Sequence, residues 1–225
     1  MPDAAIPGEL QIELLSDTTF AASEAVGGEV DTEVDHDELG LPCCGGKTLR
    51  GLLRDSFLSM ARNFPELHDA AVAVFGLEGS LEREAILHIG DAQIDADSRA
   101  WLAKAMSREE NHSLTPRDVL LSLTAIRRQT SEDRSTGAPA QHSLRSSRVV
   151  LHAIPGDKRG EFAKLTMFAP LRWSRDPSPL ELRCVAMAAL ATRHAGTSRT
   201  RGRGHIRITL NGKLGYTRKL LEEAQ

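Results

Sequence analysis

Residues 31–54 read DTEVDHDELGLPCCGGKTLRGLLR, and the character of the chain changes twice within them. Asp31, Glu33, Asp35, Asp37 and Glu38 form an acidic cluster. Gly40-Leu41-Pro42 then turns the chain, and the flexible Gly45-Gly46 pair leads into a segment opening with Lys47 and Thr48. Leu49, Leu52, Leu53, Phe57 and Met60 recur at helical spacing and predict one apolar face. Lys47, Arg50 and Arg54 point elsewhere. Carboxylates therefore lie just upstream of a helix N-terminus that carries backbone donors and cations. A helix N-terminus suits phosphate, and carboxylates suit a hard divalent cation. The stretch reads either as a site for metal-assisted phosphodiester chemistry or as a solvated acidic loop before an ordinary helix.

The rest of the chain bounds that choice. A length of 225 residues, 40% of them apolar, suits one domain with a real core, or one domain with a long insertion. The formal net charge of −3 argues against a generic basic nucleic-acid binder. Its distribution says more: positions 29 to 38 are acidic, whereas Arg193, Arg199, Arg201, Arg203 and Arg207 fall in a run without acids. Cys43, Cys44 and Cys184 make an odd count without zinc-ligand spacing, and they read as small buried residues of a cytoplasmic protein. No apolar run approaches membrane-span length, and no charged-then-apolar leader is evident, so no membrane partner is expected.

Taken in order, alternation of Leu10, Ile12 and Leu14 with polar residues predicts a strand that ends at Ser16-Asp17-Thr18-Thr19. The small, glycine-bearing run from Phe20 to Gly28 follows. The helix from Lys47 should run to about Asn63, where Pro65 stops it. Residues 85–94 (AILHIGDAQI) read as a strand, and residues 98–106 as a short helix capped by Ser98 with Trp101 and Leu102 buried. Thr115, Pro116 and Asp118 mark a helix start. Residues 125–150 are polar and arginine-rich, with Gly137 and Pro139 near the middle, and predict a hairpin-like excursion whose tip is Ser135 to Gln141. Residues 161–171 alternate as a strand, followed by a loop from Arg172 to Pro177. Ser178-Pro179-Leu180-Glu181 is a capping box that opens a helix apolar on most sides. The loop GTSRTRGRG (196–204) then leads into a strand at 205–210, and the tail after Gly215 reads as a short helix. The order strand-helix-strand, strand-helix-strand fits a β-α-β-β-α-β sheet with additions.

Two of these stretches resemble one family. Asp31, Val34, Asp37, Gly40, Leu41, Pro42, Gly46, Leu49, Gly51 and Arg54 fall in register with the pattern of the RAMP superfamily, and more narrowly with backbone subunits of type III CRISPR effector complexes. His36, Gly45 and Arg50 depart from that pattern, and Cys43-Cys44 replaces an aromatic or aliphatic pair. The loop at 196–204, joined to a strand and preceded by an apolar helix, resembles the RAMP glycine-rich signature G-x-x-x-R-x-R-G-x-G. Val74-Phe75-Gly76 followed by Gly79-Ser80 is similar to the family's L-F-G segment. The resemblance implies an α+β, ferredoxin-like (RRM-like) RAMP domain spanning 1–225, with an arginine-rich "thumb" arm at about 125–150. It implies a subunit of a CRISPR ribonucleoprotein whose partners are guide RNA, target RNA, other effector subunits and further copies of itself.

The resemblance also implies roles for residues. Asp31 falls where such subunits carry the aspartate that cuts guide-paired target RNA, holding Mg2+ or another divalent cation jointly with the RNA, or positioning the 2′-hydroxyl. Asp37 would hold the loop, with Asp35 as a reserve for catalysis. Candidates to grip the guide by its phosphates are Lys47, Thr48, Arg50 and Arg54 on the first helix, Arg127 and Arg128 at the root of the arm, and Arg199, Arg201 and Arg203 in the glycine loop. Arg145 and Arg148 lie on the return of the arm. An aromatic content of 4% argues against base stacking as the main grip. Two rival readings of the same scaffold stand beside cleavage: a non-catalytic RNA-binding subunit, and a metal-independent CRISPR-RNA-processing endonuclease using His36. The sequence Gly45-Gly46-Lys47-Thr48 looks like the end of a nucleotide-binding loop, but Leu41 stands where the first glycine belongs.

Overall fold

A computed structural model describes residues 6–22, 29–76, 85–108, 114–155 and 160–222. The run 23–28 and the Gly79-Ser80 pair lie outside them. The first strand, β1 (Glu9–Leu14), buries Leu10, Ile12 and Leu14 and turns Glu9, Gln11 and Glu13 to the other face, the period-2 pattern of a half-buried strand. Helix α1 (Gly46–Leu58) follows, then two short 3₁₀ turns and α2 (His68–Phe75). Leu49, Leu53 and Phe57 are fully buried along one stripe of α1, and Phe57 meets Phe75 with ring centroids 6.2 Å apart. The helix ends at Leu58, earlier than Pro65 alone would require; residues 61–63 continue only as a 3₁₀ turn.

Strand β2 (Leu87–Ile89) is much shorter than the alternation of residues 85–94 suggests, because at Gly90 the chain leaves the ladder; Ala92 and Gln93 make isolated bridges. Helix α3 (Ala96–Met106) starts two residues before Ser98, and its cap is Asp95, whose Oδ1 accepts from the Ser98 amide at 2.8 Å. Leu102 is buried as expected, but Trp101 is not: it is 71% exposed, since its position on α3 faces away from the core. Helix α4 (Pro116–Leu123) opens with the Thr115–Asp118 capping box. It leads directly into β3 (Thr124–Gln129), which pairs antiparallel with β4 (Arg145–Val150) as the expected hairpin.

A second small hairpin, β5 (Ala153–Pro155) with β6 (Phe162–Lys164), precedes β7 (Thr166–Trp173). The single strand expected over 161–171 is thus two, broken at Leu165, and Arg172 and Trp173 belong to β7 rather than to a loop. Helix α5 (Pro179–Ala191) has the full Ser178–Glu181 capping box, and Leu182, Cys184, Val185, Ala186, Ala188 and Ala189 are buried. It packs against α1, α2, β8 (Ile206–Leu210) and α6 (Leu214–Glu222), which explains its apolarity on most sides. Burial of Leu182 and Val185 contributes about 1.5–3 kcal/mol each, and each buried alanine methyl about 0.8 kcal/mol.

The main sheet has the order β2-β7-β1-β8, with every neighbouring pair antiparallel. Ile12 stands opposite Met167 on one side and Ile208 on the other, so the buried residues of three strands share one layer. The molecule is thus α+β, with an antiparallel sheet and six α-helices among the described residues. None of those helices is long and apolar enough to cross a membrane.

One arginine of the arm is structural. Arg148 on β4 is buried, with Nε donating to Glu33 Oε1 at 2.8 Å and an NH2 group 3.2 Å from Glu29 Oε2. It is not a surface cation of the arm, as its place on the return strand suggested. Replacing Arg148 by Ala leaves Glu33 without its cation in a half-buried setting and should cost about 2–3 kcal/mol. Arg128→Ala, at an exposed position of the same hairpin, should cost no more than about 0.5 kcal/mol. Urea denaturation midpoints of the two variants measure the difference.

Candidate nucleic-acid interface

The site is assembled on the segment that leaves β1. Thr18 and Thr19 are buried, at 0% and 1% exposure, although nothing apolar marks them in the sequence. Their backbone serves three partners. Thr18 exchanges two hydrogen bonds with Val150 of β4, at 3.0 and 2.7 Å, and Thr19 Oγ1 donates to the carbonyl of Arg148 at 2.9 Å. Phe20 and Ala22 bond to Asp35 and Glu33 of the acidic stretch. On the glycine-loop side, Gly204 N–H donates to Asp17 O and Thr197 N–H to Thr19 O, both at 3.0 Å. One extended segment thus holds the hairpin, the acidic stretch and the glycine loop together.

The acidic stretch runs beside β4 as a short parallel addition. Asp31 and Thr32 both donate to the Ser146 carbonyl, and Arg148 N–H donates to Thr32 O at 2.9 Å. Asp31 Oδ2 accepts from the Ser146 amide at 2.6 Å and from its hydroxyl at 2.9 Å. These bonds, with a smaller contribution from the Arg145 charge, hold the exposed Asp31 carboxyl below the usual carboxylate range, so it is ionised at neutral pH. Asp37 has the holding role assigned to it: Oδ1 accepts from Leu39 and Leu41 at 2.9 and 3.0 Å, and Oδ2 pairs with Arg99. His36 lies with Nδ1 2.9 Å from the Asp37 carbonyl oxygen.

The glycine loop closes over the opposite face of the hairpin. Ser198 takes a left-handed conformation, residues 199–201 make one 3₁₀ turn, and Gly202 and Gly204 have φ of 75° and 72°. At Gly204 a Cβ would stand 2.0 Å from the Ala195 carbonyl oxygen; at Gly202 it would meet nothing within 4 Å. Arg203 donates to Ser147 Oγ at 3.1 Å and Arg201 to Gln129 Oε1 at 3.2 Å. Residues opposite one another in the hairpin share a face, and successive residues alternate. Arg127 opposite Ser147, and Gln129 opposite Arg145, therefore lie on the face that the loop covers, whereas Arg128 opposite Ser146 lies on the face of Asp31. A groove of about 480 Å³ runs beside this meeting point, lined by Gln129, Thr130, Ser131, Ser143, Arg145 and Arg201.

Arg127 is partly committed: its NH2 group lies 2.7 Å from Asp17 Oδ2. Burial would raise the Asp17 pKa, but hydrogen bonds from His152 and Arg127 outweigh it and the net shift is downward. Arg201 and Arg203, in contrast, have uncharged partners, and Arg199 is exposed. Sequence reasoning gave no site role to Asp17, Gln129, Ser146 or Ser147. Only the two adjacent serines on the return strand carried a signal, and it becomes legible once the hairpin register is known.

The first-helix candidates stand apart. The amide of Gly46 donates to Asp91 Oδ1 at 2.8 Å, so a protein carboxylate already occupies part of the helix N-terminus. Lys47, Thr48 and Arg50 are exposed and Arg54 is half-buried on a helix that meets β2. That strand is the sheet edge opposite β8, into which the glycine loop leads. The structure therefore brings Asp31, Arg127, Arg128, Arg201 and Arg203 to one hairpin but leaves Lys47, Thr48, Arg50 and Arg54 at the other edge.

Among the described residues no group of three or more His, Cys, Asp or Glu side chains is placed to hold a metal ion. Cys44 and Cys184 are buried and Cys43 half-buried. Burial, reinforced for Cys43 by the charges of Asp35, Asp37 and Asp91, pushes the Cys43 and Cys44 thiols up to about 12, so both stay protonated and unreactive.

No family model matches the sequence, and no curated protein matches it. The fold, however, has relatives among solved structures. A chain of the type III-B Cmr-beta complex bound to cognate target RNA superposes with a TM-score of 0.63 at 14% identity, covering 96% of this chain and 99% of that one. The apo state of the same complex gives a TM-score of 0.64 at 14% identity, with 94% and 99% covered. The chain shares its fold with a chain of Cmr-beta. The likeness runs nearly end to end in both molecules, so the Cmr-beta chain has counterparts to both the sheet and most of its additions. At this identity the shared property is the fold, and the side chains of the site must be argued from their own geometry.

That geometry separates two glycines of the loop. Both require a left-handed backbone, which costs about 1–2 kcal/mol for any other L-residue. Gly202→Ala should lose no more than that, while Gly204→Ala adds the collision with Ala195 O and should lose at least about 3 kcal/mol. Thermal midpoints of the two variants provide the comparison.

Proposed function

We propose that the chain is a RAMP-type, RNA-binding subunit of a type III CRISPR effector complex, a single ferredoxin-like domain over 1–225 with the β3–β4 hairpin as its arm. In this reading β1, α1, β2, β7, α5 and β8 are the six elements of the β-α-β-β-α-β unit. The observation that carries the proposal is the meeting of Arg203 and Asp31 on successive residues, Ser147 and Ser146, of one strand. The cationic face, with Arg127, Arg145, Arg199, Arg201 and Arg203, takes the phosphates of the guide strand. Contacts of this kind carry no sequence information, which suits a subunit that accepts any guide. Lys47, Thr48, Arg50 and Arg54, at the other sheet edge, meet phosphates further along the strand or in a neighbouring subunit's segment. The partners are guide RNA, target RNA, other effector subunits and further copies of this chain in the cytoplasm.

On the other face of the hairpin root, Asp31 faces the paired target strand and acts in its cleavage. Ser146 fixes the carboxylate by Oδ2, through its amide and its hydroxyl. Asp31 would hold a divalent cation such as Mg2+ jointly with the RNA. Such an ion, when bound, polarises the phosphate and offsets charge on the leaving oxygen. The chain's own contribution is to keep Asp31 ionised and pointed by the two Ser146 donors. The runner-up reading, a non-catalytic scaffold, draws on the same bonds: a carboxylate held by its neighbour's amide and hydroxyl also serves as a strand clasp. The His36 mechanism has less support, because its Nδ1 faces the Asp37 carbonyl within the turn.

Asp31→Asn keeps the shape of the clasp and removes the charge. Assembled with guide RNA and Mg2+, this variant should retain RNA and lose cleavage of paired target by at least about a hundredfold; undiminished cleavage would leave only the scaffold reading. The arginines are tested by salt. Arg201→Ala and Arg203→Ala should each lower the slope of log binding constant against log salt for single-stranded RNA by about 0.7. Unchanged slopes would remove these residues from the phosphate grip.

A further inference from the structure

The glycine loop is closed by a pair of histidines. Ala195 N–H donates to Gly204 O at 2.8 Å and Ile206 N–H to Arg193 O at 2.9 Å, which makes His194 and His205 a non-hydrogen-bonded antiparallel pair lying between these two bonds. At such a pair the side chains stand closest. The two imidazoles are stacked, with centroids 5.2 Å apart and planes inclined by 23°. Both residues are exposed, and none of their ring nitrogens is hydrogen-bonded to a described residue. The pair lies at the stem of the loop that carries Arg199, Arg201 and Arg203, with exposed Arg193 directly before it. The described residues offer no comparable pair of stacked exposed rings elsewhere; Trp101 and Phe162 are single rings on other elements.

We propose that the stacked His194–His205 pair is a platform for one unpaired nucleobase of the strand whose phosphates the glycine loop holds. This inference rests on the RNA-binding reading above and adds a base contact to it. A flat imidazole face accepts any base by stacking, so the contact adds affinity without sequence preference. The two rings brace one another, and one outer face is all that a base requires. The neighbouring arginines bring the sugar-phosphate chain to within reach, which is how single-stranded binders combine cationic grooves with aromatic platforms. The low aromatic content of the chain is compatible with this arrangement, because the platform is built from histidine.

The test uses the full chain and two strands: labelled single-stranded oligoadenylate, and the same strand with abasic residues, titrated at about pH 8 where free imidazole is neutral. The double substitution His194→Ala with His205→Ala should weaken oligoadenylate binding about tenfold and leave abasic binding unchanged. The double substitution to Phe, which keeps flat rings and removes ring nitrogens, should bind oligoadenylate like the parent. Three results overturn the platform: parent-like binding by the Ala pair, an equal loss on both strands, or Phe failing as Ala does. Each of these leaves the arginine grip intact. If the parent binds neither strand, or binds both independently of Arg201 and Arg203, the RNA-binding reading itself falls and takes the platform with it.

Discussion

Two buried threonines hold the candidate site together. Thr18 and Thr19 belong to no long strand, yet the backbone from Asp17 to Ala22 is hydrogen-bonded to the hairpin, the acidic stretch and the glycine loop. Buried backbone groups must find partners, because an unpaired amide or carbonyl costs about as much as a lost hydrogen bond. Once β1 fixes where this segment emerges, each of the three neighbours is placed by the groups it has to satisfy. The approach is close enough that Gly196 has no room for a side chain: a Cβ there would lie 2.4 Å from Thr19 O. Loops that are far apart in sequence thereby gain fixed relative positions without a helix or a large sheet of their own.

Strand alternation then sorts charge. Ser146 and Ser147 are neighbours, so they face opposite sides of the hairpin, and each anchors a residue of opposite sign. A negative carboxylate and a positive guanidinium are held on the two faces of one strand, separated by its backbone rather than joined as an ion pair. Had the register slipped by one residue, the faces would exchange, and Asp31 and Arg203 would each meet the wrong surface. Arg148, one position further, tightens that register from inside by pairing with Glu33 and Glu29.

Features decided by local chemistry were legible in the sequence. The apolar stripe of α1, the boxes at Thr115 and Ser178, the alternation of β1 and the turn chemistry of the arm all depend on residues within a few positions of one another. Features decided by distant partners were not. Trp101 follows apolar expectation but sits on the outward side of α3, and only the packing of α3 reveals that. Asp91 takes the Gly46 amide from 45 residues away, which weakens the reading of α1 as an open phosphate site. Arg148 looks like its surface neighbours Arg145 and Arg128 until the register buries it. Within the candidate site, motif spacing gave roles to Asp31, Arg201 and Arg203 but none to the clasping serines, Gln129 or Asp17, since pairing alone confers their roles.

The near-neutral net charge is the strongest sequence argument against a polyanion partner, and the pairing pattern answers it. A charge matters to a ligand according to what already neutralises it. Arg99, Arg117, Arg148 and Arg175 are each bound to carboxylates, so they add little outward field. Arg201 and Arg203 are oriented by an amide and a hydroxyl, partners that fix direction without cancelling charge. Arg145 lines the same groove, and Asp31, whose carboxyl feels the Arg145 charge, is turned to the other face by its bonds to Ser146. Several acids that enter the total of −3, among them Glu29, Glu33, Asp37 and Glu181, thus hold structure by pairing with arginines, while Arg201 and Arg203 keep their charge. Net charge sums over both populations and so hides a cationic face that the geometry leaves exposed.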